Sequence, residues 1–220
     1  MNQLTLVTGS RNHSPWSLRP WLLLRQFGIP FDEIRLPIGA PERFPGIDRW
    51  SPDSGIPVLK HGSLTVRDSL AIAEYLNETL APGRIWPAGL ESRALARSVA
   101  AEIHSNYHTL RRELPMDVTG RHAPELSADC RADIAQIQSV IRDCRLRHGH
   151  GGPWLFGVFS AADAMLAPVA SRFATYDVPM DDTVAAWQAT VLDCEAMRAW
   201  RTAALAETEI LAADEAGEPV

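Results

Sequence analysis

The run LTLVTGSRNHSPWSLRPWLLLRQFGIPFDEIRL, residues 4–36, carries two periodicities in turn. Leu4 to Val7 is a short apolar run of strand character. Leu18, Trp21, Leu22 and Arg25 to Phe27 then recur at helical spacing. Gly28-Ile29-Pro30 interrupts the helix, and Phe31 to Leu36 reads as a second strand. Strand, helix and strand in that order form a βαβ unit, in which the helix supplies the crossover that a parallel pair needs.

Residues 37–55 are rich in Pro and Gly and too irregular for a long element, although a short helical turn fits Ile47 to Trp50. Ile56 to Leu59 and Leu64 to Val66 flank Lys60-His61-Gly62-Ser63, the pattern of a hairpin. SLAIAEYLNETL, residues 69–80, closes the block as a helix. The order β-α-β, irregular passage, β-β-α predicts a small α/β domain with a mixed sheet over residues 1–81. Pro82-Gly83 and Pro87-Ala88-Gly89 mark a linker at 82–90. From Leu90 onward the pattern is helical, with stretches at 91–113, 127–147, 161–175 and about 183–207, so 91–211 reads as an all-α domain. The acidic tail 212–220 reads as frayed.

Composition narrows the function classes. The 220 residues are 46% hydrophobic and 22% charged, as in an ordinary globular protein. The formal charge of −6 is spread without a basic block, which argues against nucleic acid or an anionic membrane as partner. No stretch approaches the roughly 20 apolar residues of a membrane span, and MNQLTLVTGS lacks the features of a signal peptide, so a cytoplasmic location is expected. Cys130, Cys144 and Cys194 lie far apart and form no zinc or redox motif, reading instead as buried or half-buried thiols.

The first strand-to-helix turn is where a thiol oxidoreductase would carry Cys-x-x-Cys, and this chain has Ser14 and Ser17 there. A helix start offers unpaired N–H groups and a partial positive charge, favouring an anion by roughly 0.3–1 kcal/mol. Pro20 fits best in the first helical turn, which predicts Ser17 as the N-cap and leaves Ser14 on the preceding loop. A free serine hydroxyl cannot exchange with a disulfide, yet it can hold a ligand's thiol in its ionised form; the alternative is that both serines only satisfy backbone groups in the turn. Gly55-Ile56-Pro57-Val58-Leu59 puts a proline at the front of a strand, in either a trans edge position or a cis bond that turns the Ile56 backbone outward. Asp68 and Ser69 open the last helix of the block as an acid and a hydroxyl. Ser69 is expected to cap the helix while binding a carboxylate, with Asp68 holding an ammonium beside it, a pair suited to an α-amino-acid head group. A plain helix start is the alternative.

Taken together, Ser14-Pro15-Trp16-Ser17, Gly55-Ile56-Pro57-Val58-Leu59, Asp68-Ser69-Leu70-Ala71-Ile72 and Phe159-Ser160-Ala161-Ala162-Asp163 resemble the soluble glutathione transferases, in order along nearly the whole chain. The serine in the N-terminal loop resembles bacterial members. The resemblance implies a thioredoxin-like N-terminal domain that binds glutathione as co-substrate without a metal. It also implies a helical domain completing the pocket for a small electrophile, and a homodimer acting in detoxification. On the same grounds Ser14 is the catalytic stabiliser of the thiolate, with Asn12 and Ser17 as fallback donors. Ile56 before Pro57 pairs with the cysteinyl backbone, and Asp68 and Ser69 hold the γ-glutamyl end.

One departure stands out. Many members have Pro-x-Gly-Lys-Val-Pro where this chain has Pro52-Asp53-Ser54-Gly55-Ile56-Pro57, so a basic residue that commonly holds the glycyl carboxylate is replaced by Gly55. Lys60, Arg11 and His13 are the candidates to substitute. Ser160 and Asp163 have the spacing of a capping box and are expected to support folding. His104 and His108, four apart, are expected to share a helix face without a third metal ligand. Arg111-Arg112 reads by default as a solvated helix end, with a reach toward the inter-domain cleft to bind an acidic substrate as the alternative. Two further readings remain: a glutathione-dependent isomerase or disulfide reductase, and a non-catalytic docking module of the same fold. The isomerase branch often carries Ser-Ser-Cys where this chain has Asn12-His13-Ser14.

Overall fold

The computed structural model describes residues 3–37, 46–50 and 55–207. Pro52-Asp53-Ser54 and the expected frayed tail lie outside the described residues.

Strand β1 (Leu4–Thr8) leads through a loop to α1 (Pro15–Gln26), and β2 (Asp32–Arg35) returns beside it. A single 3-10 turn at Ile47–Arg49 stands where the short helical turn was expected. Strands β3 (Val58–His61) and β4 (Leu64–Arg67) form the hairpin, and α2 (Ser69–Thr79) follows. The sheet order is β2-β1-β3-β4, with β1 and β2 parallel and the other neighbours antiparallel. His61 pairs with Leu64, so the hairpin turn is only Gly62-Ser63, tighter than the four residues expected. Gly62 takes φ 60°, which such a turn demands.

Period-2 alternation sorts the sheet residues onto two faces. Leu4, Leu6 and Leu59 join α1 and α2 in the main core, while Val7 and Val58 pack with Leu36, Ile47, Trp50 and Ile56 on the other face. Each such fully buried aliphatic side chain contributes roughly 1.5–3 kcal/mol. The passage expected as a linker buries Ile85 and Trp86, and the Ile85 carbonyl accepts from the Ala161 N–H.

The second half contains α3 (Leu90–Ser105), α4 (His108–Glu113), α5 (Ala128–His148), α6 (Ala161–Thr175), α7 (Asp182–Asp193) and α8 (Glu195–Leu205). Helix α6 is buried along nearly its whole length and packs against both α1 and α3. A helix apolar all round belongs at the centre of its bundle. The Arg19 guanidinium of α1 donates to the Met165 carbonyl of α6, tying the two halves through a buried bond.

Two expected helices are broken. The stretch 91–113 divides at Asn106-Tyr107, where Tyr107 adopts φ 65°. Arg111 reaches back to the Ile103 and Asn106 carbonyls, satisfying the end of α3, and the Tyr107 hydroxyl donates to Glu102. His104 and His108 therefore sit on different helices and share no face, contrary to expectation. The stretch 183–207 divides at Cys194, which is extended at φ −64°, ψ 149°. No Gly or Pro signals either break.

Candidate active site

The loop between β1 and α1 places the first cluster. Ser14, and not Ser17, is the N-cap of α1: its Oγ accepts from the Ser17 N–H at 3.3 Å, and Pro15 takes the first helical position. The sequence expectation fails because Pro15 fits that position, where its missing N–H costs nothing. Pro20 lies inside α1 instead of in its first turn. Ser17 is fully buried, and its Oγ accepts from the Gly9 N–H at 3.1 Å and from the Ser14 hydroxyl at 2.9 Å. Ser14 retains 7% exposure. Both serines are buried, Ser14 slightly less so than Ser17.

Asn12, the other candidate donor, is committed elsewhere. Its Nδ2 donates to Asp117 Oδ1 and to His13 Nε2, each at 3.0 Å, while its Oδ1 accepts from the Thr119 N–H. The His13 Nδ1 donates in turn to the Met116 carbonyl. Sequence reading missed Asp117, which sits at the centre of this network and also binds His122 Nε2 at 2.8 Å. Burial opposes the Asp117 charge, but the bonds from His122, Asn12 and the Gly120 N–H prevail and hold its pKa below the usual value. Sequence spacing carries no signal for a partnership across 105 residues.

A cavity of about 770 Å³ opens beside this network. His13, Arg112, Met116, Asp117, His122 and Tyr176 are among its lining residues. The Arg111-Arg112 pair divides its labour. Arg112 lines the cavity, whereas Arg111 is buried and lies 4.9 Å from the Trp16 ring centroid. Arg19 approaches the same ring at 4.2 Å, so Trp16 in the first turn of α1 meets two guanidinium groups.

The start of α2 forms the second cluster. Asp68, and not Ser69 as expected, caps the helix: its Oδ1 accepts from the Leu70 and Ala71 N–H groups, which lie within reach of the residue preceding the first helical position. Its Oδ2 meets His104 Nε2 at 3.0 Å. Asp68 adopts φ 74°, ψ 135°, a strained conformation of the kind that concentrates at ligand clamps. Ser69 is fully buried, and its Oγ has no hydrogen-bond partner among the described residues. Ser69 therefore lies beneath Asp68, which is the exposed group at this helix start. Such an unpaired hydroxyl fits a site that takes a carboxylate.

The Ile56–Pro57 bond is cis. Pro57 is buried and Ile56 half-buried at the front of β3. All three proposed substitutes for the missing basic residue are engaged: Lys60 donates to Thr65 Oγ1, Arg11 pairs with Glu33 at 2.6 Å, and His13 is held as above. Cys130 and Cys144 are buried free thiols, and burial pushes them up to about 11 and about 12. Cys194 is half-buried. Among the described residues no group of three or more His, Cys, Asp or Glu is arranged to hold a metal ion, and no helix is long and apolar enough to cross a membrane.

A hydroxyl in place of a cysteine at the first turn of a thioredoxin-like sheet, followed by a helical half packed on α1, defines the class of fold. Residues 13–79 match the family described as glutathione S-transferase, N-terminal domain. Over 173 residues the chain is 28% identical to glutathione S-transferase 1 of Dianthus caryophyllus, covering 76% of this chain and 75% of that protein. Over 70 residues it is 41% identical to a probable maleylacetoacetate isomerase of Vibrio cholerae, covering 30% and 33%. A crystal structure of a glutathione transferase homolog from Burkholderia, with bound glutathione, matches with a TM-score of 0.69 at 20% identity, over 93% of this chain and 98% of that one. The chain has the glutathione transferase fold, and the matched N-terminal domain supports that family.

Proposed function

We propose that this protein is an enzyme that binds glutathione across the starts of α1 and α2, stabilises its thiolate with Ser14, and presents the sulfur to a small electrophile in the adjoining cavity. The observation that carries this reading is the position of Ser14. Its hydroxyl caps α1 at the helix's positive end, and its neighbour His13 lines the 770 Å³ cavity.

The chemistry follows from that geometry. The thiol proton passes to water, and the Ser14 O–H turns from Ser17 to donate to the sulfur anion. The Ser17 O–H then donates to Ser14 Oγ across the same 2.9 Å, and this chain of bonds polarises Ser14. The thiolate forms a carbon–sulfur bond to the electrophile while the leaving group departs with its electron pair. At the other end, Asp68 takes the γ-glutamyl ammonium and the α2 start takes its carboxylate, with Ser69 Oγ below as a further donor. Ile56, ahead of cis-Pro57, offers its backbone to the cysteinyl residue. Arg112 gives the cavity a cation suited to a carboxylate-bearing electrophile. A cytoplasmic homodimer belongs to the same reading.

A second reading, glutathione-dependent isomerisation, is favoured by the isomerase match over 70 residues. It uses the same thiolate, added reversibly to a conjugated double bond. Assays with an aryl halide and with a cis-unsaturated diacid separate the two.

The test is titration of the protein with glutathione, followed by calorimetry and thiolate ultraviolet absorbance. Binding heat and new absorbance at neutral pH are expected. Ser14→Ala should lower turnover on the order of 10- to 1000-fold while binding stays within a few-fold. Absence of both signals in the wild-type protein overturns the proposal. Undiminished turnover in Ser14→Ala removes Ser14 from it.

A further inference from the structure

We infer that Glu207, just beyond α8, is a positioning residue for the Ser14 loop: its carboxylate is the anion around which residues 10–12 are wrapped. The backbone N–H of Arg11 donates to both carboxylate oxygens, at 2.8 and 3.0 Å, and the Asn12 N–H donates at 3.3 Å. The Ser10 hydroxyl adds a bond of 2.8 Å and itself accepts from the Asn12 and His13 N–H groups. Arg35 on β2 lies 3.8 Å away, and the Glu207 side chain is only 7% exposed. Successive backbone N–H groups converging on one anion form a nest, and this one is filled by the chain's own carboxylate.

The nest stands directly before the helix cap. Ser14 donates its N–H to the Ser10 carbonyl at 3.0 Å, so the residue that anchors Glu207 also sets the entry of Ser14 into α1. Helix α8 holds the loop a second time, because Trp200 Nε1 donates to the Arg11 carbonyl at 2.7 Å. The loop is therefore gripped at both backbone groups of Arg11 by a segment about 190 residues later in sequence. The N–H groups of Arg11 and Asn12 are spoken for, whereas the Ser14 hydroxyl, on the proposed chemistry, turns from Ser17 to an incoming sulfur. Loss of the carboxylate frees those N–H groups and lets the loop depart from the geometry that aims Ser14.

The consequence for rate rests on the proposed thiolate chemistry, but the anchoring does not, and the experiment reads them separately. Glu207→Ala and Glu207→Gln are made in the full chain. Backbone amide exchange at Arg11 and Asn12 reports the anchor, and turnover with glutathione and an aryl halide reports its effect. In Glu207→Ala those amides should exchange about tenfold faster or more. Turnover should fall on the order of 10- to 100-fold, with KM for glutathione within a few-fold and the pH–rate profile displaced upward. Added acetate should fill the nest, slow the exchange and restore part of the turnover. Glu207→Gln keeps an acceptor oxygen and should lie between, which preserves the test if Glu207→Ala does not fold. Unchanged exchange at Arg11 and Asn12 overturns the inference, as does a loss of turnover that follows only the folded fraction and ignores acetate. If wild-type protein ionises no glutathione, the proposed function fails while the exchange measurement still decides the anchor.

Discussion

His104 Nε2 lies 3.0 Å from Asp68 Oδ2, so a side chain of α3 holds the residue that begins α2. Burial opposes the Asp68 charge, but the bonds from His104 and from the Ala71 and Leu70 N–H groups outweigh it and lower the pKa below 3.8. A carboxylate with a lowered folded pKa stabilises the fold above its unfolded value and loses that contribution as pH falls through the folded one. Melting temperature recorded between neutral pH and strong acid should therefore fall less steeply below pH 3.8 in His104→Ala than in wild type. The same variant should raise KM for glutathione roughly fivefold, about 1 kcal/mol, with kcat little changed, since His104 does not touch the sulfur. An identical acid limb in the variant contradicts this account.

Ser17→Ala removes the buried acceptor of the Gly9 N–H. Urea unfolding should show a loss of about 1–3 kcal/mol, the cost of leaving such a donor unsatisfied. Ser14→Ala removes a cap, which costs about 0.5–2 kcal/mol. On the proposed chemistry Ser14 meets the sulfur directly and Ser17 only through it, so turnover should fall more in Ser14→Ala than in Ser17→Ala. Equal stability of Ser17→Ala and wild type would show that Gly9 finds another partner.

Asn12→Ala cuts the tie between the first loop and the cavity wall at Asp117 and Thr119. KM for the electrophile should rise on the order of tenfold, from loss of bonds worth about 0.5–1.5 kcal/mol each. The ultraviolet titration of the bound thiol should stay where it is in wild type. A displaced thiol titration in this variant, with none in Ser14→Ala, would transfer the sulfur-contacting role to Asn12.

Asp163 is fully buried at the start of α6 and accepts from the Leu155 and Ser160 N–H groups, the Ser160 hydroxyl and Trp187 Nε1. Burial outweighs these four donors and raises its pKa from 3.8 to about 6. Because the folded value is the higher one, this group's contribution to stability is full below pH 3.8 and is lost as pH rises through about 6. Asp163→Asn turns an amide N–H toward the Ser160 N–H and should cost about 1–3 kcal/mol at neutral pH. Chemical denaturation at several pH values should show that the variant lacks the wild-type decline between pH 4 and pH 6. Persistence of that decline would assign it to another group.

Arg112→Ala should raise KM for a carboxylate-bearing electrophile by up to about 5-fold, the worth of one exposed charge-assisted contact of at most about 1 kcal/mol. A neutral electrophile of the same shape should be almost unaffected. Equal losses for both would mean that Arg112 shapes the cavity without reading charge.

The βαβ-ββα order was legible because period-2 and helical spacing alternate cleanly from Leu4 to Leu80, and local signals of that kind depend only on near neighbours. The capping box of Ser160 with Asp163 was legible for the same reason, whereas at the start of α2 the cap is Asp68 and not the neighbouring Ser69. The exception at α1 is instructive: Pro15 and Pro20 both mark a helix start, and local rules alone do not rank them. Packing of Ser17 beneath Gly9 does. The breaks at Tyr107 and Cys194 carried no Gly or Pro. The first is settled by Arg111 reaching back to carbonyls of α3, a side-chain choice that spacing does not encode.

By itself, then, the sequence determined the strand and helix order of the first half, the small mixed sheet followed by helices, and the presence of one helix start near Ser14 and Ser17 and another near Asp68 and Ser69. Those follow from backbone sterics and the burial of apolar faces, which act within a few residues. Only the tertiary structure decided that Asp68 meets His104, that Asn12 meets Asp117, and that Glu207 fills the nest at Arg11. Each is a polar pair separated by tens to nearly two hundred residues. Such pairs form only once folding has brought the two elements that carry them together, so no local pattern in the chain encodes them.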